Sequence, residues 1–293
     1  MSNNGHEDTP VVRMEDIVKR FGTITALDNV DFTIEKQQVM ALVGDNGAGK
    51  STLIKILTGV YPLTSGRICF EGNPVQINSP RDARGLGIET CYQDLALVNL
   101  MSISRNFFLG RELARKLGPI NWLHMRKMNT LTRTSLADVG IDIRSPSERV
   151  GKLSGGERQS IAIGRAMHFG AKLLILDEPT SALSVAETRK VLTYTLNAKE
   201  RGLSVIFISH NVRHVYQVAD AYTILRRGRK VGTYTKGELT ENDIADLITG
   251  EREHYILSVL TSIKRRVVLA ISDCHFDAAP LQAGWVPGSG GLD

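Results

Sequence analysis

Residues Gly44-Asp45-Asn46-Gly47-Ala48-Gly49-Lys50-Ser51-Thr52 constrain this chain more than any other stretch. They fit the pattern G-x-x-x-x-G-K-[ST], a loop whose glycines let backbone N–H groups close around a polyphosphate. The apolar run Val39-Met40-Ala41-Leu42-Val43 before it predicts a buried strand. Leu53-Ile54-Lys55-Ile56-Leu57 after it predicts a helix. A loop between strand and helix adds the helix's unpaired N–H groups and positive dipole end to the anion site. In that setting Lys50 is the one cation expected at the β/γ-phosphates, and Ser51 the hydroxyl expected on Mg²⁺. A Gly-rich turn without a ligand is the structural alternative. A chance match in a chain of this length is on the order of 1%, and the flanking strand and helix weigh further towards a nucleotide site.

With 293 residues, the chain can build one large α/β domain with a proper core, or two small ones. The net charge of +5 is mild and dispersed, which gives no case for a nucleic-acid partner. Cys69, Cys91 and Cys274 lie far apart without C-x-x-C pairing and read as thiols of a reducing compartment. No apolar run approaches the ~18 residues a membrane span needs. Ile256 to Ile271 comes nearest and is broken by Lys264-Arg265-Arg266. Met1 to Pro10 is short and polar, with no hydrophobic signal region. The chain is expected in the cytosol, reaching any membrane through a partner.

Along the chain, Val11 to Arg20 predicts a first strand, and Ala26 to Ile34 alternates as a half-buried strand should. Gly66 to Phe70, with the turn Glu71-Gly72-Asn73, adds to an antiparallel set. From about Asp94 the pattern becomes helical and more polar, which predicts a helical insert to about residue 155. Core strands return at Leu173 to Asp177 and at Ser204 to Ser209, separated by a helix over Ala186 to Arg201. Ala221 to Leu225 and Lys230 to Thr233 predict a hairpin around Arg226 to Arg229. Strand–helix alternation argues a doubly wound parallel sheet with its ligand at the carboxyl ends of the strands.

Two further stretches carry chemistry. Asp177-Glu178 ends an apolar strand, where an Asp can hold Mg²⁺ through water and the adjacent Glu can polarise an attacking water. By itself the pair reads equally as an acidic cap before the helix that Pro179 would start. Leu153-Ser154-Gly155-Gly156-Glu157-Arg158-Gln159 opens a helix with glycines and so makes a second anion-binding N-terminus. One chain cannot easily aim two such loops at one γ-phosphate from opposite sides. The economical arrangement is a head-to-tail pair, each chain's Ser154, Gly155 and Gly156 closing on the other's nucleotide.

Over roughly residues 11–250 the chain resembles the ATP-binding subunits of ABC transporters, with the motifs in that family's order. Phe21 stands where the family has an aromatic that stacks on adenine. Gly44 to Ser51 match the Walker A loop, and Gln93 in Tyr92-Gln93-Asp94 matches the Q-loop glutamine. Leu153 to Gln159 match the signature, Leu173 to Glu178 match Walker B, and His210 in Ser209-His210-Asn211 matches the switch histidine. The resemblance implies an α/β fold: a RecA-like P-loop ATPase core, an antiparallel β subdomain and a helical subdomain. It implies ATP and Mg²⁺ as ligands, with Ser51, Gln93 and Asp177 on the metal. Glu178, His210, Gln93 and Lys50 become the expected catalytic set.

Three positions depart from the family or from ideal helix chemistry. Gln37 replaces a usual Gly at the turn before the phosphate-loop strand, which implies strain or a changed turn. Ser184 ends Ser181-Ala182-Leu183-Ser184 where Asp is usual, and Gly164 lies inside the helix after the signature, at a cost of roughly 1 kcal/mol against Ala. Asn78 to Ala83, Tyr92-Gln93 and Asn106 to Glu112 resemble the bacterial ribose, xylose and fructose importers. The expected partners are a second copy, an integral membrane permease and, indirectly, a periplasmic sugar-binding protein, which together place the chain on the inner face of the cell membrane. A soluble ATPase of the DNA-repair or translation class is the alternative, but it would need a long coiled coil or a second ATPase copy. Residues 251–293 fall outside the resemblance and are expected to be an idle or partly helical extension.

Overall fold

Alternation of side chains along buried strands sets the layers of this fold. The computed structural model describes residues 9–92, 96–117, 120–181 and 183–250. The expectations for residues 1–8, for Gln93 and for residues 251–293 lie outside the described residues.

Strands β1 (Val12–Phe21) and β2 (Ile24–Ile34) pair antiparallel through a tight turn at Gly22. Strand β3 (Val39–Val43) leads into helix α1 (Lys50–Leu57), followed by the hairpin β4 (Ser65–Phe70) and β5 (Asn73–Val75). Helix α2 (Pro80–Leu86) precedes β6 (Ile88–Cys91). The insert contains α3 (Ile103–Phe107), β7 (Ala114–Leu117), β8 (Ile120–Leu123) and α4 (Met125–Asp138), and α5 (Gly155–His168) packs on it. Then follow β9 (Leu173–Asp177), α6 (Val185–Glu200), β10 (Ser204–Ile208) and α7 (Val212–Val218). Strands β11 (Ala221–Arg226) and β12 (Arg229–Thr235) and helix α8 (Glu241–Thr249) complete the described chain.

The central sheet runs β12-β11-β3-β10-β9-β6, parallel except for the antiparallel edge strand β12. A second sheet, β2-β1-β4-β5, is antiparallel throughout. Both faces of the parallel strands are buried, and successive residues divide between them. Met40, Leu42, Ile206 and Ile208 pack towards the antiparallel sheet with Met14, Phe32 and Ile34. Val39, Ala41, Val43, Val205 and Phe207 pack the other way, among Ile163, Leu192 and Val215 of the helices. Each fully buried side chain of this size contributes about 1.5–3 kcal/mol, so a one-residue slip of β3 or β10 would exchange two well-filled cores at once. Register is therefore firmly held, with Val205 opposite Val39 and Ile208 opposite both Leu42 and Asp177.

The insert has its own core of Phe107, Phe108, Met128, Leu136 and Ile161. It is helical as the sequence predicts, but it also holds the antiparallel hairpin β7–β8, which the polar helical pattern did not signal. Gly164 has a packing reason: a Cβ there would lie 2.5 Å from Cδ2 of the fully buried Leu136, so glycine lets α4 approach α5. Gln37 adopts the left-handed conformation (φ 54) that glycine would take, at a cost of about 1 kcal/mol. Its N–H donates to Ser204 Oγ at 3.0 Å, and that hydroxyl donates to the Glu35 carbonyl, so the turn survives the substitution. Among the described residues no helix is long and apolar enough to cross a membrane.

Candidate functional site

The carboxyl ends of β3, β9 and β10 meet because the three strands are parallel neighbours in register. β3 delivers the loop Gly44–Gly49. At Gly44 a Cβ would stand 2.3 Å from the Leu225 carbonyl oxygen, and at Gly49 (φ 105) it would stand 2.7 Å from Leu27 Cδ2. Neither position admits a side chain. Gly49 also caps α1 without a side-chain hydrogen bond, and the first turn of the helix carries no acid. The first-turn residues Lys50, Ser51 and Thr52 therefore bring unneutralised N–H groups to a cavity of about 530 Å³. Asn46, Gly47 and Ala48 line it from the loop, Asp177 from the end of β9 and Glu178 from the turn that follows. Gly44 and Asp45 shape the same loop as acceptors for Lys50, whose ammonium donates to their carbonyls at 2.6 and 3.0 Å. Burial pulls the Lys50 pKa below its ordinary value, while Glu178, Asp45 and Asp177 act to keep the ammonium charged.

Asp177 ends β9 beside Ile208. Burial raises its carboxyl pKa, the neighbouring Glu178 raises it further, and Lys50 and Lys55 oppose both. Glu178 is a left-handed non-glycine residue (φ 49), held by an N–H···O bond to the Ile208 carbonyl at 3.0 Å. That turn aims its carboxylate at the end of β10. Oε1 accepts the His210 backbone N–H at 3.1 Å and lies 2.9 Å from His210 Nδ1, while Oε2 accepts the Ser209 hydroxyl at 3.3 Å. The contact makes Nδ1 the protonated nitrogen when the imidazole is neutral. The Glu178 side chain is 16% exposed and that of His210 66%, so the carboxylate is sheltered and the imidazole reaches outward.

Two oxygen donors, the Ser51 hydroxyl and the Asp177 carboxylate, share the phosphate-loop cavity. Among the described residues no group of three or more His, Cys, Asp or Glu could hold a metal on its own. That donor set suits Mg²⁺, which binds through one or two protein oxygens plus phosphate and water.

The second glycine loop lies elsewhere. After a 3₁₀ turn at Val150–Lys152, Ser154 caps α5 in a capping box with Glu157. Ser154 and Gly156 line a separate cavity of about 500 Å³ beside the insert, and none of Ser154, Gly155 and Gly156 lines the phosphate-loop cavity. Gly155 and Gly156 pack against the start of α6, where Ser184 forms a capping box with Glu187, so Ser184 serves as the N-cap in place of Asp. Phe21 is 42% exposed at the end of β1, edge-to-face on Tyr61 (centroids 5.2 Å) with Lys19 Nζ 4.8 Å from its centroid. It does not line the phosphate-loop cavity; Ile24, Thr25 and Ala26 do. Gln93 lies outside the described residues. Sequence reasoning missed the β11–β12 turn as part of the site. Gly228 N–H donates to the Ala48 carbonyl at 3.0 Å, and Arg227 lines the cavity, so Lys50 is not its sole cation. The signal was the Arg226-Arg227-Gly228-Arg229 run, which reads from sequence only as a hairpin.

A parallel core with a phosphate loop at one strand end, an Asp-Glu pair at a second and a histidine at the strand between them defines an ATP-binding cassette, completed by the insert and its glycine-headed helix. The chain belongs to the ABC transporter family, whose sequence pattern matches residues 27–181. It is 45% identical over 239 residues to the xylose/arabinose import ATP-binding protein of Sulfolobus acidocaldarius, covering 82% of this chain and 94% of that protein. It is 43% identical over 249 residues to the fructose import ATP-binding protein of Rhizobium meliloti, covering 83% and 95%. A ribose import ATP-binding protein of Caldanaerobacter subterraneus is 38% identical, and the match spans 49% of its length. In structure the chain is similar to an ATP-binding cassette of an ABC transporter crystallised in its ADP conformation. There the TM-score is 0.70 at 25% identity, over 84% of this chain and 98% of that one.

Proposed function

We propose that this chain binds and hydrolyses ATP as the energising subunit of a membrane importer for a sugar, and that it works as a head-to-tail pair. The observation that carries this reading is the match to sugar-import ATP-binding proteins along nearly their whole length. The site chemistry supports it. In this reading the Lys50 ammonium exchanges its contacts with the Gly44 and Asp45 carbonyls for phosphate oxygens. Main-chain N–H groups of the loop take the remaining phosphate charge. Ser51, Asp177 and Gln93 are the residues that would hold Mg²⁺, which when bound would supply charge neutralisation to the phosphates. Glu178 accepts the proton of the attacking water, and its sheltered carboxylate keeps its aim through Ser209 and the His210 main chain. The exposed imidazole of His210 reaches the γ-phosphate. Phe21 packs on the nucleobase, and Ser154, Gly155 and Gly156 close on the partner's ATP.

The partners under this reading are a second copy, an integral permease and, through it, a periplasmic sugar-binding protein, with no nucleic acid. The chain sits on the cytoplasmic face of the membrane. Residues 11–250 form the ATPase domain, and residues 251–293 are a C-terminal extension. The test is ATPase activity of the chain reconstituted with its permease in vesicles, with and without sugar-loaded binding protein. Stimulation by one loaded with xylose, fructose or ribose is the expected result. Hydrolysis indifferent to the permease and stimulated by nucleic acid would overturn the transport reading.

A further inference from the structure

The N-termini of α5 and α6 share one carboxylate. Glu187 is the third residue of α6, and its Oε2 accepts the Ser184 N–H at 3.0 Å and the Ser184 hydroxyl at 2.8 Å. A capping box is normally satisfied within its own helix. Here the other oxygen faces a different helix: Oε1 lies 3.5 Å from the Gly156 N, which donates towards it. The approach depends on the glycines. A Cβ on Gly156 would stand 2.9 Å from Glu187 Cβ, and one on Gly155 would stand 2.6 Å from Leu183 Cδ2. Hydrogen bonds from the Ser184 N–H and hydroxyl, with the nearby Ser154 hydroxyl and Gly156 N–H adding to them, hold the Glu187 pKa down to about 2. At neutral pH the α5 N-terminus therefore carries a fixed anion, where the helix dipole favours one.

Those donors, Ser154 and Gly156, are the ones assigned above to the partner's γ-phosphate, and one N–H cannot serve two anions fully. We propose that Glu187 is a positioning residue that holds the signature donors of its own chain as an internal anion and must give way before the partner's ATP can be clamped. This rests on the head-to-tail reading. It also links the two ends of the loop after Glu178. Ser181 donates its N–H and hydroxyl to the Glu178 carbonyl at 3.1 and 2.9 Å, and Ser184 is held by Glu187. Displacing Glu187 therefore frees the far end of a segment anchored beside the hydrolytic carboxylate.

The test is made in full-length Glu178→Gln protein, which holds ATP without rapid turnover. Glu187→Gln removes the charge and keeps a capping-box side chain; Glu187→Ala removes both. The readouts are the ATP concentration for half-maximal dimerisation by light scattering, ATP affinity at dilute protein, and Tm. Glu187→Gln is expected to lower the half-maximal ATP about fivefold, the worth of a charge at a helix N-terminus, with ATP affinity at dilute protein unchanged and Tm lowered slightly. Glu187→Ala should move dimerisation the same way while lowering Tm further, which separates the anion from the cap. If the parent dimerises and Glu187→Gln needs as much ATP or more, the assignment fails alone. A parent that stays monomeric with ATP overturns the head-to-tail reading and this inference with it.

Discussion

Glu178→Gln isolates chemistry from binding, because the two shapes match and only the ability to take a proton differs. In the parent, Oε1 sits against the His210 N–H and Nδ1, and Oε2 accepts the Ser209 hydroxyl. Placing the amide oxygen on the His210 side keeps that contact, and the NH₂ then faces Ser209, whose hydroxyl can rotate to accept. The fold thus loses at most about one net hydrogen bond, ~1 kcal/mol, or roughly 2–4 °C in Tm for a domain of this size. The reaction loses a general base worth about 10²–10⁴ in rate, or about 2.7–5.4 kcal/mol of barrier. ATP binding should not weaken, since Lys50 and Ser51 are untouched. The charge balance even favours tighter binding, because the Glu178 carboxylate adds negative charge beside Lys50 and Asp177. Removing one such charge is worth up to ~1 kcal/mol, a few-fold in Kd. Single-turnover hydrolysis with enzyme in excess, paired with equilibrium dialysis of ATP, measures both halves. A rate within about threefold of the parent, against the 10²–10⁴ expected, places the base elsewhere. ATP affinity weakened beyond about tenfold, or 1.4 kcal/mol, makes Glu178 a binding residue and refutes the reasoning.

Lys50→Ala should weaken ATP binding by roughly 10–150-fold, the worth of 1.5–3 kcal/mol for a bond to a charged group; Arg227→Ala should cost less, and equal effects in a fluorescent-nucleotide titration would misplace the phosphate. Mixing Lys50→Ala with Ser154→Arg/Gly156→Asp, each inactive as a homodimer, should restore measurable hydrolysis through the one site with both halves intact. Normal hydrolysis by the signature variant alone would end the shared-site reading. Asp177→Asn should abolish Mg²⁺-dependent hydrolysis and raise Tm by a few degrees, since burial and Glu178 make the ionised carboxylate unfavourable in the fold. With its folded pKa raised, Asp177 contributes its full stability below about pH 4 and loses it as pH rises through the raised value. The Tm gap between parent and variant should therefore close as pH falls towards 4, and a gap independent of pH would refute the assignment.

What was legible in the sequence was whatever depends on local chemistry or on strand period. The five-residue run Val39 to Val43 is apolar throughout because both of its faces are buried, and the glycines after it stand where a Cβ would meet Leu225 or Leu27. The Asp177-Glu178 pair reads as a site residue pair only when the strand before it is known to lie in the same sheet. Parallel pairing with β10 then brings Ser209 and His210 to the same edge. What was not legible depends on contacts between distant residues. Strands β7 and β8 have only four residues each, the short limit at which a period-two pattern can mark a strand. Gly164 looked like a helix defect until Leu136 of α4 was found against it. Arg227 enters the cavity because Gly228 bonds to Ala48, a contact across 180 residues of chain.

The separation of the two glycine loops carries the argument for a paired molecule furthest. Both loops open helices, and both present N–H groups suited to an anion, yet they line different cavities of one chain. The first loop has a buried lysine, the Asp177-Glu178 pair and a histidine close by; among the described residues the cavity of the second is lined by no histidine, and its Gly156 N–H is taken by Glu187 of its own chain. A loop built only to end a helix would be complete with the Ser154–Glu157 capping box, which is present. Gly155 and Gly156 also approach α6 too closely to carry a Cβ, so no side chain of their own shields these N–H groups, and a helix-end N–H held only by Glu187 can serve an external anion once that carboxylate moves. No residue of this loop lines the phosphate-loop cavity, so the head-to-tail pairing proposed above is what would bring it an anion, as nucleotide held by a second copy. Under that reading, hydrolysis in one site is conditional on the signature loop of the other chain.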